Sequence, residues 1–231
     1  LSNTAQTTAT STSKNKTNNS NYFTDKDKDS SYDESKASTV KLSGSSATVS
    51  GDGVAVSGST VTISKAGTYV ISGESDGVQI KVEAGDSDDV HIVLKGVTMT
   101  NTNAPISATK AGHVYLTLAD GTTNTLSDSS SNTDEDADAV IFSKGDLTIN
   151  GSGTLNIDAK KNNGIKANDT LHITGGTYKI TAVGDAFNVN DELNITGTTM
   201  TIDADEDAVK VDNDEDTSVG TMYLSDNKMP I

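Results

Sequence analysis

The stretch GIKANDTLHITGGTYKITA, residues 164–182, decides the fold, because a later stretch repeats its pattern without a gap. The later stretch is AFNVNDELNITGTTMTIDA, residues 186–204, at an offset of 22 residues. The offset aligns apolar residues with apolar residues: Ile165 with Phe187, Leu171 with Leu193, Ile173 with Ile195, Tyr178 with Met200 and Ile180 with Ile202. A fixed period of this kind is the sequence signature of a repeat architecture.

Each repeat unit holds three short alternations of apolar and polar residues, separated by polar turns. Alternation with a period of two indicates β-strands, and we find no convincing helical stretch. A unit cannot bury its apolar face alone, whereas units stacked in register form continuous apolar columns. The sequence therefore predicts an all-β parallel β-helix, a solenoid of about 22 residues per coil. The rival architecture, a β-sandwich, needs hairpin turns and gives no reason for the period.

A further step of 22 residues extends the prediction toward the end of the chain. It places Val209 on Phe187, Met222 on Met200 and Leu224 on Ile202. The chain ends with NKMPI, residues 227–231, which has no obvious polar cap. We therefore expect more chain to follow in the native protein.

Residues 1–36 form a separate compositional zone with almost no aliphatic side chains. The Lys residues of this zone balance its Asp and Glu residues, so it carries little net charge. This composition is typical of a flexible tether that holds a domain away from a surface. We therefore predict a tether over residues 1–36 and a β-helix domain over residues 37–231.

The composition excludes several classes of protein. The 17 Lys+Arg residues face 33 Asp+Glu residues, and a net charge of −16 disfavours nucleic acid as a partner. The chain has no Cys, which excludes disulfides and thiolate metal sites, and its 3 scattered His residues cannot make an ordinary structural zinc site. No apolar run approaches the roughly 20 residues of a membrane helix. The sequence does not predict an oligomeric state.

The 22-residue register also gathers acidic residues at the start of each unit. The members of this first column are Asp138, Asn163, Asp185 and Asp207, with Asp134, Asp136 and Asp205 beside them. Stacked carboxylates about 4.8 Å apart repel each other by about 3 kcal/mol per pair at an effective dielectric constant near 20. A bridging divalent cation would compensate, and oxygen ligands alone favour Ca²⁺.

Two further columns follow the same register. The second acidic column consists of Asp146, Asp169 and Asp191, and a third column consists of Lys166, Asn188 and Lys210. Asp and Asn also cap turns by accepting backbone N–H bonds, which is the alternative for both acidic columns. We favour metal for the first column because flanking acids enlarge it, and we leave both roles open for the second. The third column is predicted either to face an anionic sugar or to balance charge on a solvated face.

The chain resembles a known family from about Val40 to the C-terminus, which is nearly the whole predicted domain. The run VSGSTVTISKAGTYVISGESDGVQIKVEAGDSDDVHIVLKGVTMTNTNAPISATKAGHVYLTLADGTTNTLSD, residues 56–128, is similar to the opening of a bacterial cell-surface family described as carbohydrate-binding domain-containing. The segments NGIKANDTLHITGG and GDAFNVNDELNITG are similar to its second half. The resemblance implies a right-handed β-helix like that of pectate lyases, bound calcium, and binding of cellulose and pectic polysaccharide without known catalysis. It also implies an extracellular or cell-surface location.

These inferences predict a non-catalytic, calcium-dependent binder of plant cell-wall polysaccharide, chiefly polygalacturonate. Calcium shared between protein and uronate carboxylates would overcome the repulsion between two anions. The chain has no Trp, which favours calcium and hydrogen bonds over an aromatic strip for cellulose. Two alternatives stay open. One is a polysaccharide lyase, although pectate lyases generally use an Arg base and the chain has none. The other is a calcium-rigidified adhesin without a sugar ligand.

Overall fold

The computed structural model describes residues 22–229, which are all-β apart from one short helix. The helix is α1 (Asp25–Lys28), and the strands are β1 (Ser38–Gly44), β2 (Ser46–Ser50), β3 (Val54–Ser57), β4 (Thr60–Ile63), β5 (Gly67–Asp76), β6 (Gln79–Glu83), β7 (Asp89–Thr100), β8 (Ile106–Lys110), β9 (His113–Leu118), β10 (Thr123–Ser127), β11 (Ala139–Ser143), β12 (Asp146–Gly151), β13 (Thr154–Ala159), β14 (Asn163–Ala167), β15 (Thr170–Thr174), β16 (Thr177–Ala182), β17 (Phe187–Val189), β18 (Glu192–Thr196), β19 (Thr199–Ala204), β20 (Val209–Val211) and β21 (Thr221–Ser225). The predicted all-β class is confirmed.

The strands form two mostly parallel sheets. The smaller sheet has the order β20-β17-β14-β11-β8-β6-β4-β3. The larger sheet has two arms that meet at β7, because the first half of β7 pairs with β9 and its second half pairs with β10. The first arm continues through β12, β15, β18 and β21, and the second arm continues through β13, β16 and β19. Consecutive strands thus visit the smaller sheet, the first arm and the second arm in turn, which is a β-helix-like arrangement.

The predicted apolar columns form the interior. Ile173 lies opposite Ile195, and Tyr178 lies opposite Met200, in parallel pairs. These four side chains are fully buried. Apolar burial on this pattern is the main stabilising contribution, because neighbouring coils cover each other's inward faces.

The last strand departs from the predicted register. Met222 and Leu224 lie opposite Leu193 and Ile195 on β18, and not opposite Met200 and Ile202 on β19. The connection between β20 and β21 is longer than the corresponding connection between β17 and β18. The chain therefore returns to the first arm later than the period predicts, and Met222 and Leu224 are exposed.

Residues 22–36, which we call the strap, lie across the outer face of the first arm. The strap contains α1, whose capping box is formed by Thr24 and Asp27. Phe23 and Asp27 of the strap are buried. The sequence predicts a tether through residue 36, and the structure instead packs this part of it through aromatic and polar contacts. Residues 1–21 of the predicted tether lie outside the described residues.

Candidate functional site

The first acidic column forms a hydrogen-bonded ladder between coils. The backbone N–H of Asp185 donates to Oδ1 of Asn163 at 3.2 Å, and the backbone N–H of Asp207 donates to Oδ1 of Asp185 at 3.0 Å. The other carboxylate oxygen of Asp185 accepts a bond from Nδ2 of Asn188 at 2.7 Å. Asn163 and Asp185 are both 3% exposed. The structure therefore gives these two side chains a role that needs no cation, which is the turn-capping alternative.

The other members of this column are held in different ways. Asp138 accepts bonds from Asn162 and, at 2.7 Å, from Nζ of Lys166. Asp134 caps its own loop by accepting the backbone N–H groups of Asp136 and Ala137. The side chains of Asp136, Asp205 and Asp207 are exposed. The predicted cluster is thus spread over a loop and a ladder, and no central position joins its carboxylates.

Replacing Asp185 distinguishes a role in the hydrogen-bonded ladder from a role in metal binding. Asp185→Ala is expected to lower the free energy of unfolding by about 1–3 kcal/mol, because the partly buried N–H of Asp207 loses its acceptor. Asp185→Asn is expected to cost less than about 1 kcal/mol, since Asn163 fills the same position one coil earlier. Urea unfolding followed by circular dichroism measures both, with exposed Asp205→Ala as the control. Equal losses for the Ala and Asn variants would show that the negative charge is needed.

The second acidic column brings three carboxylates into electrostatic contact along successive coils. Asp146 accepts the backbone N–H of Thr170 at 3.2 Å, and Asp191 accepts Nδ2 of Asn213 at 2.6 Å. Partial burial, followed by the charges of Asp146 and Asp191, raises the pKa of Asp169. This column therefore has the unrelieved repulsion that a cation would relieve. As the side chains stand, no group of three or more His, Cys, Asp or Glu within residues 22–229 is arranged to hold a metal ion.

The predicted third column is present in the smaller sheet. Lys166 lies opposite Asn188, and Asn188 lies opposite Lys210. The ammonium group of Lys166 pairs with Asp138, and Asn188 donates to Asp185. Lys210 is exposed. Two of the three side chains therefore serve the acidic ladder, which is the charge-balancing alternative.

The sequence did not predict a face on the first arm that gathers all three His residues. One outward column runs through His91, Tyr115, Thr148, His172, Asn194 and Tyr223, one residue per strand. His113, Asn150 and Thr174 lie beside it on the same outward side. We call these nine residues the histidine face. The 22-residue offset alone reveals only the step from His172 to Asn194, since the earlier coils are longer.

The strap covers this face through hydrogen bonds from the face to the strap. Nδ2 of Asn150 donates to the backbone carbonyls of Asp27 and Asp29, at 3.2 and 3.0 Å. Nδ2 of Asn194 donates to the carbonyl of Tyr22 at 3.0 Å. Asn150 is completely buried, and its amide N–H groups depend on these carbonyls. Asn194 is 1% exposed, and its amide also donates to Glu192.

Aromatic rings and charges complete the contact. The ring of Tyr22 stacks on Tyr223 with centroids 3.7 Å apart and an interplanar angle of 4°. Nζ of Lys26 lies 4.5 Å from the ring centroid of Tyr115. Nδ1 of His172 lies 3.1 Å from a carboxylate oxygen of Asp27. The strap is therefore attached by stacking, by cation–π attraction and by an ion pair, in addition to its hydrogen bonds.

The three histidines differ in the direction in which their pKa values are shifted. Burial lowers the pKa of His91 and of His113, so both are neutral near pH 7. Burial also acts to lower the pKa of His172, but its contacts with Asp27 and Glu192 outweigh burial and raise it. Burial, followed by nearby acids, raises the pKa of Tyr115 to about 12. The face thus offers one imidazole whose positive charge is favoured by two carboxylates, neutral donors and acceptors, and aromatic rings.

The fold and the site define a repetitive β-solenoid with a polar, aromatic outer face, and comparison with known proteins identifies the family. The profile of the carbohydrate-binding domain-containing protein family matches residues 57–231, and the chain belongs to that family. A solved structure described as the polysaccharide lyase-like protein from C. thermocellum, gadolinium derivative, is 33% identical. The match covers 84% of this chain and 81% of that chain, with a TM-score of 0.80. No curated protein matches significantly.

Proposed function

We propose that this protein binds acidic plant cell-wall polysaccharide of the polygalacturonate type, without cleaving it, and that binding depends on calcium. The family and the polysaccharide lyase-like relative support polysaccharide as the ligand class. The observation that carries the calcium dependence is the column of Asp146, Asp169 and Asp191, in which partial burial and then the charges of its two neighbours raise the pKa of the central carboxyl. A protein with a net charge of −16 needs such a cation to attract a polyanion.

The calcium proposal fits the second acidic column better than the first. Both side-chain oxygens of Asp185 in the first column already accept hydrogen bonds. In the second column, Asp169 lies at the surface with its carboxylate only partly buried, so the carboxylate has room to turn toward its neighbours. The solved relative is a gadolinium derivative, and gadolinium, like Ca²⁺, is a hard cation that takes oxygen ligands. This supports a hard-cation site without assigning its ligands.

The same likeness supports the remaining expectations. It favours a right-handed coil of about 22 residues, the hand that parallel crossover connections adopt in nearly all cases. We also propose a location outside the cell or on the bacterial cell surface, where a plant cell-wall polysaccharide would be met. No helix within residues 22–229 is long and apolar enough to cross a membrane.

Removing calcium is expected to weaken both stability and binding. Ca²⁺ at 100 times its dissociation constant should stabilise the fold by about 2.7 kcal/mol. EDTA should therefore lower the melting temperature and abolish retention on polygalacturonate in an affinity gel. Asp169→Asn should reduce the calcium-induced shift, whereas exposed Asp203→Asn on the second arm should not. Binding that is unchanged by EDTA would overturn the calcium dependence.

Two alternatives have distinct readouts. The relative's description as polysaccharide lyase-like favours testing for cleavage. Incubation with polygalacturonate should give no rise in the absorbance of unsaturated product, and a rise would establish a lyase. Stabilisation by calcium together with no binding on a glycan array would instead support a structural adhesin.

A further inference from the structure

We propose that the histidine face is the saccharide-binding surface of this protein, and that the strap occupies the face until a saccharide displaces it. This inference rests on the proposed function and assigns its location. It places the ligand on the first arm, away from the Lys166, Asn188 and Lys210 column of the smaller sheet. The displaced occupant is a segment of the chain itself, residues 22–36.

The first argument is where the aromatic side chains lie. Tyr69, Tyr178 and Phe187 are buried in the solenoid core, and Phe142 packs in a separate buried cluster with two Ala residues. Phe142 lies on the outward side of the smaller sheet, in the column of Lys166, but it is only 3% exposed and packs within that cluster. Within residues 22–229, the other outward-facing rings of the solenoid are Tyr115 and Tyr223, and both lie on the histidine face. Sugar rings stack on aromatic rings, so this is the side of the solenoid equipped to bind them.

The second argument is that the histidine face is polar. If the strap covered this face only to stabilise the fold, apolar residues would be expected on it. Thr148, Asn150 and Asn194 are buried there, at 0%, 0% and 1% exposure. Burying polar groups stabilises little and costs free energy wherever a bond is lost. The interior of the same strands uses Leu and Ile, so the solenoid does not lack apolar alternatives. A polar face retained under a cover is expected if the face also binds a polar ligand.

The third argument is that the strap places against the face the same kinds of groups that an acidic saccharide has: oxygen acceptors, a flat ring and a carboxylate. The face donates hydrogen bonds to strap oxygens through Asn150, Asn194 and Thr174. Hydroxyl and carboxylate oxygens of a sugar chain can accept the same bonds. The ring of Tyr22 lies flat on Tyr223, as a pyranose ring would. Asp27 places a carboxylate on Thr148 and His172, which is where a uronate carboxylate would fit.

The fourth argument is that the face adjoins the proposed calcium column. Asp146 is the first residue of β12 and lies opposite His113. Its charge acts on both His113 and Tyr115. Asp169 and Asp191 come directly before β15 and β18, the next strands of the first arm. A uronate chain on the face would therefore reach cations at that edge.

The test compares the full chain with variants that loosen the strap. Asp27→Ala removes the ion pair with His172 and the bond to Thr148, so residues 22–36 should exchange amide hydrogens faster. Polygalacturonate oligosaccharides with Ca²⁺ should then bind about tenfold more tightly, because the competing closed state is depopulated. Phe23→Ala is a second way to open the strap, since this ring is 4% exposed. In the wild type, adding oligosaccharide should itself raise exchange in the strap.

Variants of the two candidate surfaces locate the site. Asn194→Ala in the Asp27→Ala background should weaken binding about tenfold, the effect of about 1.4 kcal/mol. Lys179→Ala on the second arm is the control and should leave binding unchanged. Loss of binding in Lys166→Ala but not in Asn194→Ala would overturn the inference and leave the proposed function intact, as would saccharide binding without any change in strap exchange. If neither closed nor opened protein binds a panel of acidic and neutral polysaccharides, both proposals fail.

Discussion

Ile173→Ala is expected to lower the free energy of unfolding by about 2–5 kcal/mol. Ile173 is completely buried and lies between Ile149 and Ile195 in one interior column. Truncation removes apolar contacts and leaves a cavity between two coils that relax only in part, because each coil is fixed by backbone bonds to its neighbours. Urea unfolding followed by far-ultraviolet circular dichroism suits a chain without Trp.

Two further variants of this protein serve as controls for the Ile173→Ala prediction. Ile173→Val keeps most of the side chain and should cost about 0.5–1.5 kcal/mol. Val183→Ala removes methyl groups from a side chain that is 47% exposed, and should change stability by no more than about 0.5 kcal/mol. A loss below about 1 kcal/mol for Ile173→Ala would contradict the continuous column.

Raising the pH from 5.5 to 8.5 is expected to increase the population of molecules in which the strap is open. The responsible group is His172, which faces Asp27 on the strap and Glu192 on β18, with His113 also nearby on β9. Its pKa is raised in the folded protein above the ordinary value of 6.5.

The direction follows from the two partners. Because the pKa of His172 is raised, its stabilisation is fully present below about pH 6.5 and is lost as the pH rises through the folded pKa. Burial raises the pKa of Asp27, but its contact with His172 and its hydrogen bond from Thr148 outweigh burial and lower it below 3.8. The contribution of Asp27 is therefore present above about pH 3.8 and is lost in stronger acid. The strap is held most tightly between these limits.

Hydrogen exchange of residues 22–36, corrected for the intrinsic pH dependence of exchange, measures this opening. His172→Gln keeps a polar side chain without the charge and is the matched variant. His91 and His113 have lowered pKa values, so protonating them at low pH opposes closure. The His172→Gln strap should therefore show a flat or reversed pH response, and an unchanged response would assign the switch to another group.

The repeat was predictable because the 22-residue register and the apolar alternation can both be read directly from the amino-acid sequence. The Ile173 and Ile195 pair follows from that register alone. Met222 was misplaced because loop length, unlike strand pattern, carries no periodic signal. The strap was missed for a related reason. Its contacts are aromatic and polar, and composition alone does not separate such a segment from a tether.

The candidate site was less predictable than the fold. The register correctly aligned Asp185 with Asn163, but it does not say whether a carboxylate meets a backbone N–H group or a cation. His91, Tyr115 and His172 are far apart in sequence and belong to coils of unequal length, so no fixed offset connects them. Only the observed strand order brings them onto one face.

The strap also dictates an order of events during synthesis. Residue 22 leaves the ribosome before any of its partners, and one of those partners, Asn194, is 172 positions further along the chain. Contacts of such long range form late, after the elements that carry them have assembled. The strap is thus made before its partners and docks after them, and a nascent chain displays the His and Tyr residues of the histidine face to the surroundings until the final coils close.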